Sequence, residues 1–230
     1  MLYKRAKRKN DELREIEAKA GIIPRADGSA MFRIGDTIAY AAVYGPRNLY
    51  PRFLQDPKKG ILRCSYNMMP FSGSGERVRP GGSRRSKEIS MVTVKALLPV
   101  LNLDDFPNSV IDVFIEFPQT DAGSRCAGIS AASIALADAG LEMKDLVAAV
   151  AVGCVDNQPM ADLTKEEEDK ENCVDIPIAI LPRSGKISLL QMDGEISKEN
   201  LKKAIQLARK AVSEIYEKQK DALKKKYEIK

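Results

Sequence analysis

Gly123-Ser124-Arg125 is the triplet in this chain best equipped for chemistry. A glycine lets the backbone come close to a ligand, a serine offers a hydroxyl, and an arginine sets a permanent charge beside the free N–H groups of a helix N-terminus. Together these are the parts of an anion site. Taken alone, the triplet reads equally as an N-cap serine followed by a solvated arginine, so the surrounding pattern has to decide. Arg84 and Arg85 fall in the predicted first turn of a second helix, capped by Ser83. Cations are unfavourable there because they face the positive end of the helix dipole, a mismatch that an anion sharing the site would relieve and that solvated arginines would also tolerate. Asp175 stands inside the apolar strand pattern Val174 to Leu181. An unpaired buried charge costs several kcal/mol, so a partner such as an arginine or a metal is expected.

What is missing narrows the chemistry further. The chain has no histidine, which excludes Ser-His-Asp and Cys-His catalysis and every histidine-ligated metal. Cys64, Cys126, Cys154 and Cys173 are far apart in sequence and lack zinc-ligand spacing, so buried free thiols are expected. Carboxylates, arginines, lysines, hydroxyls or a bound metal remain. The segment Arg47 to Phe53 interleaves arginines with Tyr50 and Phe53, a combination that suits single-stranded nucleic acid, since phosphates want cations and bases want flat faces. A surface loop with incidental aromatics fits the same residues.

These groups need a scaffold. The turn signals Asp27-Gly28 and Gly35-Asp36 between short β-rich runs predict a meander over Leu13 to Tyr44, stopped by Gly45-Pro46. Ile61 to Met69 and Val110 to Phe117 read as strands, the second feeding Gly123. Residues 84–101 carry a helical apolar face, and Ser124 to Ala139, rich in alanine and ending at Gly140, reads as a buried helix packed closely on both sides. Leu146 to Val155 is nearly all apolar and predicts a central strand, with Gln158 to Leu163 pairing to it. Thr164 to Asn172 is a run of charges and reads as a solvated acidic linker. A last strand, Lys186 to Met192, precedes a long amphipathic helix from Ser197 to about Lys220. Phe71 to Ser83, rich in glycine with Arg77 and Arg79, reads as a flexible basic loop, and Met1 to Lys9 as a mobile basic arm.

Composition permits all of this. A chain of 230 residues, 44% hydrophobic and 30% charged, can bury a large core as one domain or two fused halves. The net charge of +5 allows a polyanionic partner without demanding one. No apolar run reaches the roughly 18 residues that span a bilayer, and the N-terminus lacks the apolar core of a signal peptide, so a cytoplasmic location is expected.

Several motifs, in order along the chain, resemble RNase PH-type exoribonucleases. They are Tyr44-Gly45-Pro46-Arg47, Tyr66-Asn67-Met68-Met69-Pro70-Phe71-Ser72, Ser83-Arg84-Arg85, Ile111 to Glu116, Asp121 to Arg125, Ala135 to Gly140 and Leu189 to Gly194. The resemblance implies an α/β (α+β) RNase PH-type fold, with mixed β-sheets packed with helices as a single compact domain of two fused halves. Its boundaries would be a basic arm 1–12, a first half 13–141 with the RNA and phosphate site, a second half 142–220 with the catalytic carboxylates, and a basic tail 221–230.

The activity implied by the resemblance is phosphorolytic 3′-to-5′ RNA degradation, with inorganic phosphate as co-substrate, nucleoside diphosphates as products, and the reverse tailing reaction open to it. By resemblance, Gly123, Ser124 and Arg125 hold phosphate, and Arg84 and Arg85 hold the RNA backbone, joined by Arg47 and Tyr50 from the loop that would face a central pore. Asp169 and Asp175 are the implied catalytic carboxylates, Asp169 as general acid, and also the implied ligands of Mg²⁺. The implied partners are single-stranded RNA, a non-catalytic RNase PH-like paralogue alternating with this chain in a hexameric, exosome-type ring (a trimer of heterodimers), and RNA-binding cap subunits. Two other readings are a free-standing homohexamer that trims tRNA 3′ ends and a silent ring subunit that binds RNA without chemistry. In the N-terminal segment, Lys7-Arg8-Lys9-Asn10 stands where relatives usually carry an Asp-Gly-Arg element.

Overall fold

A computed structural model describes residues 3, 5, 8–79 and 82–228 of the chain. The expected meander forms from β1 (Ile16–Ala20), β2 (Gly28–Ile34) and β3 (Thr37–Asn48), all antiparallel. Gly35, at φ 55°, turns β2 back into β3 so that Ile34 pairs with Thr37. Strand β3 does not stop at Gly45-Pro46 as the sequence suggests. Gly45 adopts φ 115°, and the register shifts between Tyr44 and Arg47, so a bulge absorbs the proline that cannot donate to the ladder. The sheet is completed by β4 (Ile61–Met68) and β5 (Ser109–Gln119) in the order β1-β2-β3-β5-β4. The parallel pair β4 and β5 is joined by α1 (Arg84–Leu97), as a parallel pair requires a crossover. Helix α1 tightens into a 3₁₀ turn over Leu98–Val100, where Pro99 cannot supply the next N–H.

The second sheet has the order β7-β6-β8-β9. Its strands β6 (Ala148–Val155), β7 (Gln158–Ala161), β8 (Cys173–Leu181) and β9 (Lys186–Leu190) pair antiparallel throughout. Every residue of β6 is buried, as its continuous apolar run demands. Helix α2 (Ser124–Asp138) lies between the sheets, packing on β2 and β3 on one side and on β6 and β8 on the other. Its alanines, serines and glycine make that sandwich possible. A Cβ added at Gly28 would lie 2.3 Å from the Ala135 carbonyl oxygen, so strand and helix backbones are in near contact there.

Two expectations about the chain ends change. The last helix, α4 (Lys198–Tyr227), runs through the residues read as a solvated tail: Ala222 is buried, and Lys226 and Tyr227 reach the buried carboxylate of Asp138. The basic arm is also docked where it is described. Arg5 is 7% exposed and Arg8 pairs with Asp162, because the acidic groups of the second half give these cations buried partners. Met1, Leu2, Lys4, Ala6 and Lys7 of that arm, Pro80 and Gly81 of the glycine-rich loop, and Ile229 and Lys230 lie outside the described residues. Cys126 and Cys154 are buried and Cys64 and Cys173 half-buried, all as free thiols. Among the described residues no helix is long and apolar enough to cross a membrane.

Candidate active site

Strand β5 delivers the chain to the turn that opens α2, and hydrogen bonds fix the turn before any ligand arrives. Thr120 N–H donates to the Ser72 carbonyl at 2.7 Å, Asp121 N–H to the Thr37 hydroxyl at 2.9 Å, and that hydroxyl to the Ala122 carbonyl at 2.8 Å. Ala122 and Gly123 are both left-handed, at φ 56° and 62°. Glycine tolerates that conformation; for Ala122 it is strain held by the surrounding bonds. Gly123, not Ser124, is the N-cap of α2, and no side chain caps the helix. The first N–H groups of α2 are therefore left for something else. Ser124 is free of capping duty and accepts a hydrogen bond from the Tyr66 hydroxyl at 2.8 Å.

A cavity of about 380 Å³ opens in front of this turn. Gly123, Ser124 and Arg125 line it together with Arg85 from α1, Asp175 from β8, and Lys165 and Glu168 from a single helical turn, α3 (Lys165–Glu168). Arg125 is aimed by Gln191, whose amide oxygen accepts from Nη1 at 2.6 Å, and by Glu88, which accepts from Nη2 at 3.4 Å. Its Nε is buried and has no hydrogen-bond partner among the described residues. Helix α1 begins as the sequence predicts: Ser83 and Ser86 form a capping box, and no acidic residue balances Arg84 and Arg85 in the first turn. Arg85 borders the cavity, whereas Arg84 is exposed and is not among its lining residues.

The carboxylates divide by environment. Where an arginine partner is one expectation, Asp175 Oδ1 is buried without a hydrogen bond among the described residues. Burial first, and the neighbouring Glu168 charge second, push the Asp175 carboxyl up to about 6 against the opposing pull of Arg125 and Arg85. Burial also raises Glu168, in opposition to Lys165 and the Gly123 backbone. The linker is less solvated than a run of charges suggests. Glu167 turns inward to 3% exposure, Glu168 faces the cavity, and Asp169 is 61% exposed at its side chain and pairs with Lys165. Asp169 is not among the residues lining the cavity. The spacing Thr164-x-x-Glu167 forms a capping box, the one sequence signal that marks α3. Glu168 and Lys165 are the lining residues that sequence reasoning passed over as linker.

Arg47 and Tyr50 lie apart from this cavity. Arg47 donates to Asp112 at 3.3 Å and covers the Tyr44 ring, with its centre 5.4 Å from the ring centroid. Tyr50 and Phe53 are exposed, at 64% and 82%. Among the described residues no group of three or more histidine, cysteine or acidic side chains is placed to hold a metal unaided.

The arrangement is a turn with uncapped helix N–H groups facing a second cationic helix start, with a buried carboxylate oxygen beside both. Comparison with known proteins assigns it to a lineage. Domain 1 of the 3′ exoribonuclease family, RNase PH, matches residues 12–142, and domain 2 matches residues 145–211. The chain belongs to the RNase PH family. Among curated RNase PH-type relatives it is similar to "Exosome complex component Rrp41" of Methanopyrus kandleri, 50% identical over 96% of this chain and 91% of that protein. The protein of the same name in Pyrococcus furiosus is 51% identical over 96% of this chain and 87% of its own length. That of Archaeoglobus fulgidus is 49% identical over 96% and 86%. Rice Rrp46, a solved structure, superimposes with a TM-score of 0.83 over 95% of this chain and 98% of that one. At 24% identity that likeness establishes the RNase PH fold.

Proposed function

We propose that this chain is the phosphorolytic, catalytic subunit of an exosome-type ring, removing nucleotides from RNA 3′ ends with inorganic phosphate. One observation carries the reading: uncapped α2 N–H groups, Ser124, Arg125 and Arg85 converge on the cavity that also exposes Asp175. Two anions, phosphate and the RNA phosphodiester, repel unless cations and N–H donors hold them together, and this cavity supplies both. The relatives named as exosome components support the ring, shared with RNase PH-like neighbours, RNA-binding cap subunits and single-stranded RNA.

The chemistry follows from the placement. An oxygen of inorganic phosphate, held by the α2 N-terminus, Ser124 and Arg125, attacks the phosphorus of the last phosphodiester. The bond from that phosphorus to the 3′ oxygen of the preceding nucleotide breaks, a nucleoside diphosphate leaves, and the freed 3′ oxygen takes a proton. Asp175 suits that donation better than Asp169, since a carboxyl pushed up to about 6 keeps its proton to a higher pH than an ordinary one and lies in the cavity. Asp169, which follows Glu168 and pairs with Lys165, is a carboxylate outside the cavity lining. Arg85 holds the RNA backbone close to the attacked phosphorus, and Arg84, Arg47 and Tyr50 hold RNA further from it.

The donor set fits Mg²⁺. Asp175 Oδ1 is a buried hard oxygen without a hydrogen-bond partner among the described residues, Glu168 is a second carboxylate lining the cavity, and Mg²⁺ characteristically takes one or two carboxylates while phosphate oxygens and water complete its shell. When bound, the ion would take the place of the Asp175 proton and would itself stabilise charge on the leaving oxygen.

The test is RNA degradation by the chain with its ring partner, with and without inorganic phosphate, alongside Arg125→Ala. Phosphate-dependent release of nucleoside diphosphates, cut ~100-fold or more in the variant, is expected. Nucleoside monophosphates released equally without phosphate would refute phosphorolysis.

A further inference from the structure

The described part of the N-terminal segment is wired into both loops of the cavity. Arg5 donates to both oxygens of Glu167, Nε to Oε1 at 2.6 Å and Nη2 to Oε2 at 2.8 Å, and Nη2 also reaches the Asp162 carbonyl at 3.2 Å. Arg5 and Glu167 are nearly sealed from solvent. Glu167 in turn accepts from Thr164 N–H at 3.0 Å, closing the cap of α3. The next residue, Glu168, lines the cavity, as does Lys165. Arg8 donates to Asp162 Oδ2 at 2.8 Å, and Arg14 grips the same carboxylate with Nε at 2.9 Å and Nη2 at 2.7 Å. Arg14 Nη1 also reaches Asp121 Oδ2 at 2.9 Å, while Lys165 N–H donates to Asp121 Oδ1 at 3.0 Å. A chain of ion pairs and hydrogen bonds therefore runs from the arm through α3 to the Asp121-Ala122-Gly123 turn.

We infer that Arg5 is a positioning residue for the reaction: through its fork onto Glu167 it sets where Glu168 and Lys165 stand in the phosphate cavity, making the N-terminal arm a working part of the active site. The inference rests on the phosphorolytic reading. The physical ground is the length of α3. One helical turn cannot hold its own shape, so its geometry comes from the buried partner of Glu167, and that partner is supplied from 162 residues away. Lysine cannot replace it fully, since a single ammonium does not reproduce a planar fork on two carboxylate oxygens.

The experiment compares wild type, Arg5→Met, Arg5→Lys and the charge exchange Arg5→Glu with Glu167→Arg, each in the assembled ring. Two readouts are taken: phosphorolysis kinetics, and amide hydrogen exchange of residues 164–169 against the β6 and β8 core. Arg5→Met should lower kcat ~10- to 100-fold with the KM for RNA within about twofold, because misplacement of cavity groups by about an ångström costs rate more than RNA binding. Exchange at 164–169 should quicken ~10-fold while the β6 and β8 amides keep their wild-type rates. Arg5→Lys should fall between, and the exchange pair should recover only part of the rate, because it restores the ion pair while an arginine at 167 cannot accept from Thr164 N–H. Wild-type kcat and wild-type exchange in Arg5→Met would overturn the inference, as would faster exchange spread evenly through the second sheet. Should Arg5→Met fail to assemble, Arg5→Lys carries the same comparison. Absence of phosphate-dependent products from wild type would instead refute phosphorolysis, and the exchange data would still decide whether Arg5 holds α3.

Discussion

Replacing Asp175 with asparagine removes a charge that the fold holds at a cost. The carboxyl is pushed from an ordinary 3.8 up to about 6, chiefly by burial. A shift of about two units corresponds to roughly 3 kcal/mol between its two protonation states. The sign follows from proton linkage. The folded chain holds this proton more tightly than the unfolded chain, so stability falls as pH rises from about 4 to about 6, and the cost is borne in full above that window. Asp175→Asn abolishes the titration. At pH 8 the variant should therefore be more stable than wild type by about 3 kcal/mol, or roughly 6–12 °C in Tm for a chain of this size, and at pH 4 by less than about 1 kcal/mol. Urea unfolding of both proteins at the two pH values gives the comparison, and titrating groups that do not feel the Asp175 charge cancel in the difference. The same variant should lose ~10²- to 10⁴-fold in phosphorolysis, since it has no proton to give. A variant less stable than wild type at pH 8, or a stability difference independent of pH, would refute the account of Asp175 as a buried, proton-holding carboxyl.

Other perturbations test the frame around the site. Asp162 is buried, which alone would raise its carboxyl, but the hydrogen bonds and charges of Arg14 and Arg8 hold it below the usual range. Its contribution is present above the unfolded value and lost as pH falls through the folded one; Arg14→Met should cost about 3 kcal/mol or more in urea unfolding at pH 7, with the deficit shrinking in acid below pH 4. Gly28→Val should destabilise by about 3 kcal/mol, read as a fall in the urea midpoint, because its Cβ would sit 2.3 Å from backbone atoms of α2 that cannot move without opening the sandwich.

The sequence by itself determined the elements and the chemical groups. Period-two runs and paired turn residues set the meander, the apolar block 148–155 set the central strand β6, and Ser83 set the start of α1. Gly123-Ser124-Arg125 was legible as a candidate anion site because backbone conformation, hydroxyl, charge and helix N-terminus are all local properties. Only the tertiary structure decided what the charges do. Glu167, Glu168 and Asp169 are consecutive and chemically alike, yet one is buried against Arg5, one faces the cavity and one meets solvent with Lys165. That sorting depends on which cation arrives from the other end of the chain, and Coulomb partners so distant in sequence leave no pattern in the local residues. The absence of a buried partner for Asp175 is likewise a property of the assembled cavity, because its proton is held by desolvation, which no single segment supplies.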